Sequence, residues 1–560
     1  MTALLTDNLP LLAGSPNGIK KLRELILELA VRGKLVPQDP NDEPASELLK
    51  RIAEEKAQLV AAEVIRKQKP QPQIAEEEQP FELPAGWAWA RLADIAFSQA
   101  GFAFKSNGFN QAGLGLPLIR IRDVGQAFSG TYYEGDYRPE FLVRRGDYLI
   151  SMDGEFRVAA WEGEDSLLNQ RVSRLIFFGD EIARRFIADS LQARLLEFQG
   201  VKAYTTVDHL SGGQISESVI ALPPLAEQHR IATKVDELMA LCDRLEARQA
   251  DAESAHAQLV QALLGSLTKA ADAEEFAASW KRLAEHFHPL VTTESSIDAL
   301  KQTLLQLAVM GKLVPQDPSD ETVNELLKRV ELGKQAAFVG RNKVDKLRSS
   351  DANDEKPFTI PSQWSWARLG ELAISGPSNG YSPKPASVET PYRCLTLSAT
   401  TRGVFNNQCF KFVDIDNATA SKYFLKEGDF LIQRANSIDY VGVSAIYDGA
   451  DDQFIFPDLI MRIKISDCLN KSFIHYYLSS IAGRAYFRKH ATGTQGNMPK
   501  INQGTVVNAP VPIPPLAEQH RIVAKVDQLT AICDQLKNRL TQARRLNEQL
   551  ATALVEQAVA

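Results

Sequence analysis

The stretch PPLAEQHRIATKVDELMALCDR, residues 223–244, is written again as PPLAEQHRIVAKVDQLTAICDQ at residues 514–535, with 16 of 22 positions identical. An internal repeat of this kind governs how the rest of a chain is read. After each Pro-Pro pair, suited to a helix start, apolar residues alternate by four and three. The first copy runs Ile231, Val235, Leu238, Cys242 and Leu245, then Leu259 and Leu263; the second runs Ile522, Val526, Leu529, Cys533 and Leu536, then Leu540, Leu550 and Leu554. This spacing predicts two long helices whose matched stripes pack on each other as a coiled coil. A run of about 45 residues would make a rod ~67 Å long. His256 and Asn547 stand at corresponding polar positions of the seam, where a lone polar group can fix register. Cys242 and Cys533 read as small apolar core groups.

Two further blocks recur. LELAVRGKLVPQDP at Leu27 to Pro40 returns as LQLAVMGKLVPQDP at Leu305 to Pro318, identical at 12 of 14 positions, and both copies lead into ELLKR. FELPAGWAWARL at Phe81 to Leu92 returns as FTIPSQWSWARL at Phe358 to Leu369, and a fainter echo pairs GDYLIS at Gly146 with GDFLIQ at Gly428. The offsets of 278, 277, 282 and 291 residues are similar but unequal, so two halves share a plan while their loops differ.

Each half therefore reads as a helical arm, a variable insert and a closing helix. The expected divisions are a helical arm and linker at 1–84, an insert at 85–222, a long helix at 223–267, a linker and repeated arm at 268–360, a second insert at 361–513 and a second long helix at 514–560. Stretches rich in Pro, Gln and charge, Arg66 to Pro84 and Gly333 to Pro361, are expected linkers, with a third near Thr268 to Ser296. Short strand-like runs such as RVSRLIFF and DLIMRIKI alternate with Gly- and Asn-rich loops in the inserts, predicting mixed α+β domains.

Composition narrows the class. At 560 residues, with 44% hydrophobic and 24% charged residues, the chain suits several globular domains rather than a disordered or membrane-embedded polymer. No apolar run approaches the ~20 residues of a membrane span, and the first residues lack a basic signal stretch, so a cytoplasmic protein without a membrane partner is expected. Five cysteines without a C-x-x-C pair give neither a disulfide framework nor a zinc ribbon.

A net charge of -7 offers no global reason to expect nucleic acid, so a DNA reading has to rest on organisation and local clusters. The second insert carries 15 basic and 12 acidic residues, the first 14 and 17. Loops in which Lys, Arg, Asn, Gln and His sit among glycines suit base edges, because Asn and Gln bond adenine and Arg or Lys bond guanine. The candidates are Lys105, Asn107, Asn110, Arg144, Arg145, Lys202 and His209 in the first insert. In the second they are Lys384, Arg434, Arg488, Lys489, Gln495, Asn497 and Lys500. Catalytic and metal-ligating sets are absent from the sequence. The only Pro-Pro pairs are LPPL and IPPL, unlike an amino-methyltransferase loop; Gly33, Gly311 and Gly333 precede lysines without the remainder of a P-loop; and Pro457-Asp458 has no second acid beside it.

PPLAEQHRI opening a long helix, the GKLVPQDP block and the P-x-x-W-x-W-x-R-L start of each insert together resemble the specificity subunit of type I restriction-modification systems, over nearly the whole chain. The resemblance implies two target-recognition domains separated by long antiparallel coiled-coil helices in a pseudo-two-fold tandem repeat. Each domain would read one half of a split, asymmetric sequence in double-stranded DNA, with the helices setting the unread gap. It further implies no catalysis and no cofactor on this chain. Two methyltransferase subunits would carry S-adenosylmethionine for adenine N6 methylation, and two restriction subunits would bring ATP and Mg. A coiled-coil scaffold whose inserts bind protein or another ligand is the alternative, and strong salt dependence of DNA binding would count against it.

Overall fold

The computed structural model describes residues 11–63, 65, 71–179, 181–200, 209–338, 356–493 and 498–559. They divide into two compact units: residues up to 252 together with those from 543 onward, and residues 253–542.

In unit 1, helix α1 (Gly18–Val31) turns Ile19, Leu22, Leu25, Ile26 and Leu29 to one buried face, the three-and-four spacing of an amphipathic helix. Its end is set by Gly33, at φ +67°, where Lys34 N–H donates to Leu29 O (2.8 Å) and Gly33 N–H to Ala30 O (3.3 Å). This is a left-handed helix stop that favours glycine. Helix α2 (Ala45–Ala61) follows. The insert opens on strand β1 (Ala88–Arg91), continues through β2 (Ala96–Ala100), β3 (Tyr148–Ser151), β4 (Val158–Ala160), β5 (Val172–Phe177) and helix α3 (Arg184–Gly200), and returns on β6 (Val219–Leu222). The central sheet has the order β2-β5-β3-β4, all antiparallel, with a second small sheet built from residues 109–168.

Strands β1 and β6 pair only with each other, Ala88 opposite Leu222 through Arg91 opposite Val219, so the insert leaves and rejoins the frame at one place. Buried Arg91 latches the two by donating to Glu217 O (2.9 Å), and it pairs with Glu78 (2.8 Å) in the preceding segment.

Helix α4 (Leu225–Lys269) closes the half. Its Ile231, Val235, Leu238 and Cys242 are buried in one apolar cluster with the face of α1, and Ala551 and Ala558 of the last helix join that cluster.

Unit 2 repeats the plan. Helix α5 (Ala273–Glu285) and the short α6 (Phe287–Leu290) occupy the stretch expected as a third linker; Leu283 and Leu290 bury an apolar side there, which outweighs the polar look of the segment. Helix α7 (Glu294–Val309) corresponds to α1 and ends at Gly311, φ +74°, with Lys312 N–H donating to Leu307 O (2.9 Å). Next come α8 (Val323–Phe338), β7 (Ser365–Arg368), β8 (Ala373–Asn379), β9 (Phe430–Gln433), β10 (Ser444–Ile446), β11 (Ile460–Ile465), α9 (Lys471–Ser479), α10 (Ile481–Lys489), β12 (Pro510–Ile513) and α11 (Leu516–Val559). The main sheet has the order β8-β11-β9-β10, and β7 pairs with β12, Ser365 opposite Ile513, as β1 does with β6. Both inserts are thus α+β domains.

The stripes of the long helices are buried differently from the expectation. Each stripe starts against the opening helix of its own half: Ile231 to Cys242 on α1, and Ile522, Val526 and Cys533 in the clusters that hold α7. Leu245, Leu529 and Leu536 lie partly buried at their edges. The tail of the other long helix is a third member, with Val260, Leu264 and Leu267 in unit 2. The seam is not continuous, because Leu259 and Leu550 are exposed and the turns of α4 between Leu245 and Leu259 carry polar and alanine side chains that are almost all exposed. Apolar side chains are too sparse between Leu245 and Leu259 to cover a partner.

Candidate nucleic-acid interface

The repeated motifs turn out to hold each unit together. Glu227 is buried and accepts from Trp87 Nε1 (3.0 Å) and Gln38 Nε2 (3.4 Å); Glu518 accepts from Trp364 Nε1 (3.0 Å) and Gln316 Nε2 (3.5 Å). Burial pushes both carboxyls above the ordinary glutamate range, against the pull of those N–H donors. The next residue is spent as fully. Gln228 donates to Pro223 O (2.9 Å) and accepts from Ala183 N–H (3.2 Å), while Gln519 donates to Pro514 O (2.9 Å) and accepts from Asn470 N–H (2.9 Å). Arg230 forks onto Asp42 (2.6 and 3.4 Å) and Arg521 onto Asp320 (2.7 and 3.1 Å), each pairing holding the guanidinium above its usual range. The EQxR and QDPxD positions therefore bind arm, insert and closing helix to one another.

Against that frame the candidate contact residues fall at definite places. In unit 1, β3 has two ends. Arg144 and Arg145 are exposed in the turn before it, where Arg144 N–H donates to Asp147 (2.9 Å). His209 lies at the far end, bridged to Asp153 just beyond the strand, with its Nδ1 2.7 Å from the Asp153 carboxylate. About seven residues of extended chain, roughly 23 Å, separate the two. The loop carrying Lys105 and Asn107 leaves β2 at the His209 end, since Ala100 pairs with Ser173 and Val172 with Ser151. Asn110 spends its amide inside its own loop, donating to Leu114 O (2.9 Å) and accepting from Ala112 and Leu114 N–H, an Asx-type turn. Lys202 lies outside the described residues.

Unit 2 gathers its candidates more tightly. Arg434 follows β9, Ala435 bridges Lys500, and Asn436 N–H donates to Pro499 O (3.3 Å). The loop that follows carries Asp439, which faces Arg488 at 3.7 Å. Lys384 lies two residues beyond Ser382, which bonds Asp458 at the same end of the sheet. Lys489 follows at the end of α10, and Gln495 and Asn497 fall outside the described residues. Asp153, Arg171, Ser382 and Asp458 are isolated in sequence, and only the strand pairings bring them to the sheet ends that carry His209, Arg434 and Lys500. Asp153 has the signal of following the GDYLIS echo and Asp458 that of following Pro457, while Arg171 and Ser382 carry none. Among the described residues, no group of three His, Cys, Asp or Glu is placed to hold a metal ion, and no helix is long and apolar enough to cross a membrane.

Comparison with known proteins now gives this arrangement a context. Residues 84–253 and 361–543 match the family described as "Type I restriction modification DNA specificity domain". The chain is 37% identical to the type I restriction enzyme EcoEI specificity subunit of Escherichia coli, across 97% of this chain and 94% of that one. It is 38% identical to the EcoAI specificity subunit of Escherichia coli, with the same 97% and 94% covered. Among solved structures, the HsdS subunit from Thermoanaerobacter tengcongensis aligns over 86% of this chain and 98% of its own, at 17% identity and a TM-score of 0.35.

Proposed function

This chain belongs to the type I restriction-modification DNA specificity family, and from that premise we propose how its two units divide the work. It is a specificity subunit, recognising DNA sequence while catalysis resides on the methyltransferase and restriction subunits it assembles with. In our reading the insert bounded by β1 and β6 recognises one half of a split site and the insert bounded by β7 and β12 the other. The two half-sites differ because the inserts differ. The long helices set the unread gap, and the repeated surfaces of arm and closing helix receive two copies of the methyltransferase subunit, since a duplicated chain offers two alike docking faces to two identical partners. S-adenosylmethionine, ATP and Mg act on those partners, in the cytoplasm.

The observation that carries this reading is the pinning of each insert by a single two-stranded ladder, which makes the insert a module hung from a duplicated frame. The test is co-expression of this chain with a matching type I methyltransferase subunit in a methylation-free host, followed by mapping of N6-methyladenine. Methylation confined to one split, asymmetric motif, and lost when this chain is left out, is the expected result. An assembled complex without sequence-confined methylation refutes it.

A further inference from the structure

The main sheets of the two units share a backbone frame and differ in the chemistry carried at one end of it. Beyond β3, Met152 N–H donates to Arg171 O (3.0 Å), Leu210 N–H donates to Met152 O (2.8 Å), and Asp153 bridges His209. Beyond β9, Arg434 N–H donates to Leu459 O (2.8 Å), Ile501 N–H donates to Arg434 O (2.9 Å), and Ala435 bridges Lys500. The hydrogen bonds match one for one, so Met152 corresponds to Arg434, Asp153 to Ala435, Arg171 to Leu459 and His209 to Lys500. The same register sets Gln170 against Asp458. None of these pairs keeps its residue, although the interlocking Trp, Glu, Gln and Arg positions of the frame are identical in both units.

The side chains form two different polar tips. In unit 1 the Asp153 carboxylate accepts from His209 and faces Arg171 Nε at 3.4 Å, with His209 61% and Arg171 57% exposed. In unit 2 exposed Asp458 is held by Ser382, Arg434 Nη1 reaches Asp458 O (3.4 Å), and Lys500 is exposed alongside. Arg171, His209, Asp458 and Lys500 face solvent, where polar contacts contribute little to folding, so stability does not account for them.

We propose that these two strand ends are base-reading tips: Asp153, Arg171 and His209 determine one half-site, and Arg434, Asp458 and Lys500 determine the other. This rests on the reading of the chain as a DNA specificity subunit. The carboxylate in each tip suits the cytosine N4 amine, and the N–H donors of the arginine, lysine and histidine suit the O6 and N7 acceptors of guanine. Because a carboxylate and two basic side chains occupy different positions in the two tips, the same frame reads different bases.

The test uses the full chain assembled with its methyltransferase subunit, with N6-methyladenine mapped in the host genome. Absence of any motif with the unaltered chain refutes the specificity-subunit reading itself; with the motif present, the variants decide this proposal. Arg434→Gln and Lys500→Gln are expected to loosen one or two base positions in one half-site, the preference for the correct base falling roughly 5- to 150-fold, with the other half-site unchanged. Arg171→Gln and His209→Gln are expected to loosen only the other half-site. A motif unaltered in all four variants, or an even loss of methylation over all sites with no position relaxed, as phosphate contacts would produce, overturns the proposal. If a glutamine variant does not assemble, His209→Lys and Lys500→Arg take its place, a changed base preference supporting the proposal and an unchanged motif overturning it.

Discussion

At the scale of residues, the repeated motifs are explained by what their side chains satisfy inside each unit. Gly33 and Gly311 follow helix ends at positive φ, and a Cβ there would come within 2.7 Å of Pro84 or 2.5 Å of Pro361. These two Gly-Lys pairs are helix stops seated on the proline and tryptophan that open each insert. We expect Gly311→Ala to lower stability by roughly 1–3 kcal/mol, from the left-handed backbone and the contact with Pro361 together, read as a fall in melting temperature. An unchanged melting temperature would show that the loop gives way freely. The two positions at which the first block differs also have causes. Arg32 pairs with Glu28 (2.6 Å) and lies over Phe81 in unit 1, whereas Gln306 accepts from Ala482 N–H (3.1 Å) in unit 2.

His475 supplies a pH dependence. Packed on α9 against β10 and within 3.1 Å of Ser444 Oγ, it is desolvated, which pulls its pKa down to about 4. The folded pKa lies below the unfolded value, so the unfolded chain binds the proton more readily between pH ~6.5 and ~4. The stabilisation from neutral His475 is complete above ~6.5 and is lost as pH falls toward ~4, by up to about 3 kcal/mol. Melting curves at pH 7.5 and 5 are expected to differ less in His475→Gln than in the unaltered chain, and equal differences would exclude this residue as the cause.

At the scale of elements, the long helices were legible as helices, but what covers them was not. Periodicity marks which face of α4 and α11 is apolar without saying whether its partner is the other long helix or α1 and α7. The heptad spacing outruns the buried seam: Leu259 and Leu550 keep the spacing, yet they are exposed. The polar stretches between the buried turns are where length can change without opening a core. If the helices set the unread gap, removal of residues 246–252 from α4 together with 541–547 from α11 shortens the rod by about 10 Å, roughly three base pairs, with both half-sites intact. The methylated motif reads this directly, and an unchanged gap would rule the helices out as the ruler.

At the scale of the whole molecule, duplication separates what is kept from what varies. The frame positions, Trp87 with Glu227 and Trp364 with Glu518, are the same in both units, while the inserts between the paired strands differ in length, charge and secondary sheets. Replacing residues 88–222 by the corresponding insert of another family member is expected to change one half-site only, as mapped by N6-methyladenine. A change in both half-sites would mean that the inserts do not read DNA independently.

Repeat and class were determined by the sequence alone, because these rest on identity and spacing along the chain: PPLAEQHR, GKLVPQDP and WxWxRL announce themselves twice. Local periodicity likewise determined that long helices close each half. Tertiary structure alone decided that the motif residues face inward as latches, that residues 273–285 are helical, and that Arg144 and His209 stand at opposite ends of one strand. It also brought Asp153 beside His209, 56 positions away, and Asp458 beside Arg434, 24 away. Contacts between residues so far apart depend on strand order and register, which arise from packing of the whole unit and leave no periodic trace in the sequence.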